Sequence, residues 1–401
     1  MKKLIFNLLL VIPCAINAQL NPVITSWILN TTNSKGYGGI PSNIQTVQYS
    51  ATQVYVSSTC IPGYNIGPWP SNPNTPSNQN FVHKFTLSPQ QNTSTATVVG
   101  LGSIGVWSNG VSIFNAKDGM SYNNAGVWNR NALYYEGVSF DECLGHPSPS
   151  GEYHHHVNPD CLYDDKDSTH HSPIIGYAYD GFPVYGAYAY SNTNGTGTIK
   201  RMKSSYVLST STTRTNGPAV STTYPAGCFV EDYYFVANSG DLDVHNGRFC
   251  ITPEYPSGIY AYFVTINDTL APVYPFVLGP TYYGKVQTGN TGPSGGHITI
   301  TEATTVYKGT SSIDEIETGI QFKVMPNPTS EAVYLYMNEK SPNNLTANLY
   351  DASGQLLETL NNIQPSITYI FDLNKYAAGL YFLHLQNNNQ RVVQKIIRST
   401  N

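Results

Sequence analysis

An all-β fold is what this chain predicts: a large Tyr-rich, β-sandwich-like body followed by a small C-terminal β-sandwich. Three observations lead there. Charged residues make up only 11% of the 401 residues, against roughly 25% in an average soluble protein, so charged helix faces are scarce. Gly and Pro number 34 and 26, and both are poor residues for a helix interior. Tyr, at 31, joins abundant Thr in the short runs that half-buried strands favour. The same composition excludes a coiled coil, a helical bundle and an acidic disordered tail.

The N-terminus, residues 1–18, reads as a secretory signal peptide. Lys2 and Lys3 give the positive start, Leu4 to Ile12 the apolar segment, and Ala18 a small residue at the expected cleavage point before Gln19. That apolar run is far shorter than the roughly 20 residues needed to span a bilayer. No later segment is long and apolar enough either, so no transmembrane segment is expected. Export implies an oxidising setting in which disulfides form. Five cysteines remain after Cys14: Cys60, Cys143, Cys161, Cys228 and Cys250. The economical local pairs are Cys143 with Cys161 and Cys228 with Cys250, and the odd count leaves one thiol over.

Charge is uneven along the chain. Gln19 to Ile320 carries 12 basic and 20 acidic residues, a net −8, whereas the rest carries 6 and 5, a net +1. An acidic body argues against a nucleic-acid partner, which needs a basic face against phosphates. It suits cation binding. The acidic stretch Ser311 to Glu317 separates two sequence textures. The expected organisation is an N-terminal β region over 19–108, a body domain over 109–305, a linker over 306–320 and a tail over 321–401.

The tail reads as five or six short alternating strands with turn residues between them, the pattern of a small β-sandwich. Three landmarks occur in order: Pro326-Asn327-Pro328, Gly379-Leu380-Tyr381 and Lys395-Ile396-Ile397. On these the tail resembles the type A C-terminal sorting domain of the type IX secretion system. The resemblance implies a Gram-negative bacterial protein handed to the type IX machinery through residues 321–401. It further implies that the tail is usually removed and the body secreted or attached to the cell surface.

The body's chemistry is concentrated in histidine. Six of ten histidines fall within 146–171: His146, His154, His155, His156, His170 and His171. Neutral imidazole is the commonest protein ligand for transition metals such as Zn and Cu. Pro147 to Gly151 is a turn-forming stretch, and Tyr153 onward reads as a strand. Alternate side chains of a strand share a face, so His154 and His156 point the same way, about 7 Å apart at the backbone. Two imidazoles so placed are able to converge on one ion. His155 and Tyr153 face the other side. Candidate further metal ligands are His146, His171 and Asp180, although Asp180-Gly181 is also ordinary turn chemistry.

An internal echo sharpens the assignment. Phe140-Asp141-Glu142-Cys143-Leu144-Gly145-His146 lines up with Leu242-Asp243-Val244-His245-Asn246-Gly247-Arg248. Gly151-Glu152-Tyr153-His154-His155-His156 lines up with Gly258-Ile259-Tyr260-Ala261-Tyr262-Phe263. The shared Asp, Gly and Tyr read as scaffold. The unshared His146, His154 and His156 read as chemistry, and Arg248 in place of His146 suits an ion pair or an anion contact.

These phrases, with Asp180-Gly181-Phe182-Pro183-Val184-Tyr185-Gly186, Asn246-Gly247-Arg248-Phe249 and Tyr274-Pro275-Phe276, resemble the YHYH domain family over about Asn109 to Gly284. His155 stands where that family's pattern has its second Tyr. The family's activity is largely undetermined, so the resemblance implies a fold neighbourhood rather than a reaction. Two functions are expected. One is an exported or cell-surface protein holding a transition metal ion through the histidine cluster. An enzymatic version would activate water at an open metal position, with Glu152 or Asp180 accepting the proton. The other is a carbohydrate- or peptide-binding module that uses Tyr side chains with Trp69, Trp107 and Trp128.

Overall fold

Short alternating runs between Gly, Pro and Asn turns give many short strands and few helices in the computed structural model. It describes residues 20–292, 295–309, 320, 322–339, 341–387 and 391–399. The expected signal peptide and most of the expected linker lie outside these residues. Among those described, no helix is long and apolar enough to cross a membrane. They fall into two compact units that divide after Gly309.

In the first unit, β1 (Ile44–Tyr49), β2 (Gln53–Ser58) and β3 (Phe81–Thr86) form an antiparallel sheet. Strand β3 alternates buried and half-buried residues along its length, the pattern of a sheet with one face on a core. Phe85 carries that face onto Tyr177, with ring centroids 6.0 Å apart.

The second sheet of this unit positions the site. Its strands are β4 (Ser103–Trp107), β5 (Ser112–Phe114), β6 (His146–Pro147), β7 (Tyr153–His155), β8 (Ile174–Ala178), β9 (Pro183–Tyr185), β10 (Gly247–Cys250) and β11 (Ile259–Phe263). Their order, β10-β11-β9-β8-β4-β5-β7-β6, reads as two like halves meeting at the β4–β8 pair. Hairpin β4–β5 matches β8–β9, each with a register shift, at Ser103/Gly105 and Ile174/Gly176. Hairpin β6–β7 matches β10–β11, and each adds parallel to its half through β7 or β11. At the centre, Gly105 lies opposite Ala178 and Gly176 opposite Trp107. A Cβ on either would lie 2.6 Å from the carbonyl oxygen of Tyr177 or Val106, so the two halves close together only because both are glycine.

The strand closing the first sheet, β12 (Thr305–Tyr307), pairs with β1 and returns the chain to its beginning. Of the expected disulfides, Cys143–Cys161 is formed. The expected Cys228–Cys250 bridge is not: both are free and buried, as is Cys60. Cys228 lies by Arg214, whose Nη2 is 3.9 Å from its sulfur, while Cys250 ends β10. Closeness in sequence does not bring these two sulfurs together.

The second unit is a small β structure with its own core. Strands β13 (Phe322–Met325), β14 (Ala332–Met337) and β17 (Thr368–Asp372) form one sheet. The other comprises β15 (Leu345–Asp351), β16 (Leu356–Ile363), β18 (Gly379–Gln386) and β19 (Arg391–Arg398). Val333, Leu335, Leu349, Phe371, Leu383 and Ile396 fill the space between them.

Candidate metal centre

Strand register brings the first two histidines together. The antiparallel β6–β7 pair sets His146 opposite His154, and β5 holds β7 from the other side through Ser112↔His154. His156 follows directly on β7. All three rings are buried, and each offers a nitrogen within 4.8 Å of the other two. His154 Nε2 and His156 Nε2 are 3.1 Å apart.

The other ring nitrogens fix the tautomers. His154 Nδ1 meets Glu152 O at 3.0 Å and His156 Nδ1 meets Asn115 O at 2.6 Å. Carbonyls only accept, so both Nδ1 atoms carry the proton. His146 Nδ1 lies 2.8 Å from Ser139 Oγ, and that hydroxyl donates its own proton to Glu136 O at 2.7 Å. Ser139 therefore accepts, and His146 Nδ1 is also protonated. Three Nε2 lone pairs are left facing one another. Tying the far nitrogen to a carbonyl or hydroxyl is the usual way a protein orients a metal-bound imidazole.

Protonation of His146 and His154 is disfavoured. Burial, then His156, pushes His146 down to about 4. Burial, then His156 and His146, holds His154 well below the usual histidine range. Two Nε2 atoms bound to one ion at about 2.0–2.1 Å stand roughly 2.8–3.4 Å apart for angles near 90–109°, a range that includes the observed 3.1 Å.

A carboxylate completes the group. Glu136 ends α1 (Ala132–Glu136), a short helix capped by the Asn131 side chain. Its Oε2 is 3.1 Å from His156 Nε2 and 3.9 Å from His146 Nε2. Burial raises the Glu136 pKa, and it falls below the ordinary value only when positive charge stands at the His156 and His146 side of the carboxylate, with Arg130 adding to it; with both rings neutral, that charge has to come from a cation. Sequence reading missed this residue. It lies ten positions before His146 with no spacing that marks it, and only the α1 turn carries it back. The four groups line one wall of a cleft of about 690 Å³.

The other two expected ligands sit elsewhere and do not join the cluster of three. Asp180 is fully buried and its carboxylate is already engaged. It accepts from Tyr262 Oη at 2.6 Å, Gly284 N at 2.8 Å and Phe182 N at 3.2 Å, which makes it a structural knot. His171 lies between Tyr185 and Tyr190, with ring centroids 5.1 and 5.2 Å away, and the charge of Arg248 reaches it. A guanidinium beside an imidazole opposes a second cation there. Glu152, expected as a proton acceptor, accepts instead from the hydroxyl of Ser112, the residue paired with His154.

The proposed aromatic platform is dispersed. Trp107 is wholly buried, Trp69 donates its indole N–H to Asp141, and Trp128 donates to Thr215 O.

Comparison with known families adds two matches. The model for the YHYH protein family matches residues 82–274. The chain carries a YHYH domain. The model for the secretion system C-terminal sorting domain matches residues 323–399, so this YHYH-domain protein is exported to the cell surface or secreted, through handling by the type IX machinery. No curated protein matches the chain. Among solved structures, dimeric latent PorU from Porphyromonas gingivalis is 20% identical over 20% of this chain and 9% of its own, with a TM-score of 0.18. PorZ, a surface component of the type IX system of the same organism, is 12% identical over 92% of this chain and 46% of its own, with a TM-score of 0.17. The chain thus spans less than half the length of either, and likenesses at these TM-scores carry no weight for its function.

Proposed function

We propose that the exported YHYH domain is a metal-binding domain that holds one transition-metal ion through His146, His154, His156 and Glu136. The observation that carries this reading is the shared tautomer of the three histidines. Each donates from Nδ1, so three buried lone pairs converge with the Glu136 carboxylate beside them. Without a cation these groups repel, and burying such a set unpaired is costly; with a cation every contact becomes favourable. Imidazole donors with one carboxylate suit zinc, copper and other first-row ions. These four ligands fill a tetrahedral shell, so water or a small molecule entering by the cleft they line would reach the ion as a fifth ligand.

Elemental analysis of the purified full chain tests the proposal. About one ion per chain is expected, with the metal lost in the His154→Ala, His156→Ala double variant. A metal-replete preparation that retains no ion, or a double variant that keeps it, overturns the reading.

A further inference from the structure

Apart from the metal cleft, the first unit holds a cavity of about 160 Å³, and strand pairing builds its walls. The extended segments Tyr206–Leu208 and Tyr233–Phe235 pair antiparallel, with Leu208 opposite Tyr233. Alternate residues of a strand, and residues directly opposed across a pair, share a face, so Tyr206 and Tyr233 point the same way. Tyr274 meets both. It stacks on Tyr233, with ring centroids 4.4 Å apart and planes at 14°, and stands edge-on to Tyr206 at 5.4 Å and 82°. The perpendicular rings of Tyr206 and Tyr274 make a corner, which the buried side chains of Val99, Val230 and Leu278 line with aliphatic surface. An apolar cavity of about 150 Å³ holds one benzene ring, so this one has room for a single ring.

Two charged residues, Lys117 and Glu231, also line the cavity. Glu231 is already engaged: one carboxylate oxygen accepts from Asn129 N at 2.6 Å and the other from the Asn129 side-chain amide. Lys117 is not. Its backbone N–H bonds to Asn115 Oδ1, but its ammonium makes no ion pair among the described residues. Lys117 borders the metal cleft as well, yet its neighbour Asp118 is the side chain that turns into that cleft, where it pairs with Arg130 Nε at 2.9 Å. Successive side chains of the extended segment Lys117–Ser121 point to opposite sides, so Lys117 turns away from that pair, to the side of the tyrosines.

An aromatic corner the size of one ring, with an unpaired ammonium beside it, matches a ring that carries an anionic group. We infer that this cavity binds a small aromatic carboxylate. The ring packs into the corner of Tyr206 and Tyr274, and the carboxylate stays at the edge of the cavity against Lys117. Tyrosine edges and faces favour an aromatic ring over a saturated one of the same size. The inference is independent of the metal reading, because none of the four metal ligands lines this cavity.

Ligand-observed NMR titration of benzoate against the full chain tests it. A chelator is present throughout, so that no ion in the histidine centre offers benzoate a competing partner, and ionic strength is held fixed. Saturable binding of one benzoate per chain is expected. Benzamide, which keeps the ring and loses the charge, should bind about fivefold more weakly. Cyclohexanecarboxylate, which keeps the charge and loses the aromatic faces, should bind about threefold more weakly. Lys117→Met should erase the preference for benzoate over benzamide. Tyr206→Ala should weaken benzoate about fivefold or more, whereas Tyr206→Phe, which keeps the ring, should not. The Lys117 variant changes only a half-exposed side chain, so the assignment stays testable if the Ala variant fails to fold. Absence of saturable binding, equal binding of benzoate and benzamide, or an unchanged preference in Lys117→Met overturns the assignment.

Discussion

Tyr153 donates its hydroxyl to the Asp141 carboxylate at 2.9 Å, and the second half of the sheet repeats the contact between Tyr260 and Asp243 at 2.8 Å. In both halves the same aspartate also accepts the backbone N–H groups two and four residues on, from Cys143 and Gly145 or from His245 and Gly247. The glycine ending each turn lies directly beneath the tyrosine: a Cβ there would sit 2.4 or 2.5 Å from the hydroxyl oxygen. Asp, Gly and Tyr therefore form one device used twice, and it aims the residue after the glycine, His146 in one half and Arg248 in the other.

Asp141→Asn should destabilise the body by about 2–4 kcal/mol, because the amide turns an N–H₂ toward donors it cannot accept from. Gly67 N and Trp69 Nε1 also bond to this carboxylate, so no single rotation of the amide satisfies every donor. Denaturant unfolding measures the loss, and a change below about 1 kcal/mol would count against the device.

Within the metal centre, Ser139→Ala removes the acceptor that holds His146 Nδ1–H, and with it the hydroxyl's own bond to the Glu136 backbone carbonyl. Metal affinity should fall about 10- to 100-fold, the usual cost of losing an orienting partner. Glu136→Gln keeps the shape but removes the charge and should also weaken the ion. Competition with a chromogenic chelator gives both values; wild-type affinity in each variant would remove Ser139 and Glu136 from the site.

The Cys143–Cys161 bridge closes a loop of sequence separation 18 and anchors the turn that precedes His146. Cys161→Ser should cost about 3 kcal/mol by the loop-entropy estimate, and unfolding in reducing buffer should lower the wild type to match. If reduction leaves the unfolding midpoint unmoved, the bridge does not stabilise this turn.

Acid should destabilise the body through His83. Burial, then His297, pushes this histidine down to about 3 from its ordinary 6.5. The unfolded chain therefore takes up the proton first as pH falls. Stability is fully present above about pH 6.5 and is lost from there toward pH 3, by at most about 1.4 kcal/mol per pH unit for this one proton. His83→Phe should make the acid limb of a stability–pH curve shallower by that slope; an unchanged limb would show that His83 does not titrate this way.

Much of this protein was legible in its residues because the relevant signals are local. Low charge with many Gly, Pro and Tyr predicts strands, and the alternation in the tail predicts its small β structure. The Asp-Gly and Gly-Tyr echo exposes the repeated scaffold, since each device is built within one turn and one strand. The alternation of His154 with His156 likewise follows from the pleat. Tertiary structure decided what depends on distant segments meeting. Glu136 and Ser139 reach the histidines only because α1 folds back beside β6. Asp180 is withdrawn from any ligand role by Tyr262 and Gly284, 82 and 104 residues away. Cys228 and Cys250 stay unpaired although close in sequence. Backbone geometry sets which neighbours share a face, but which side chains meet across the core depends on how the sheets pack, and packing is a property of the whole chain.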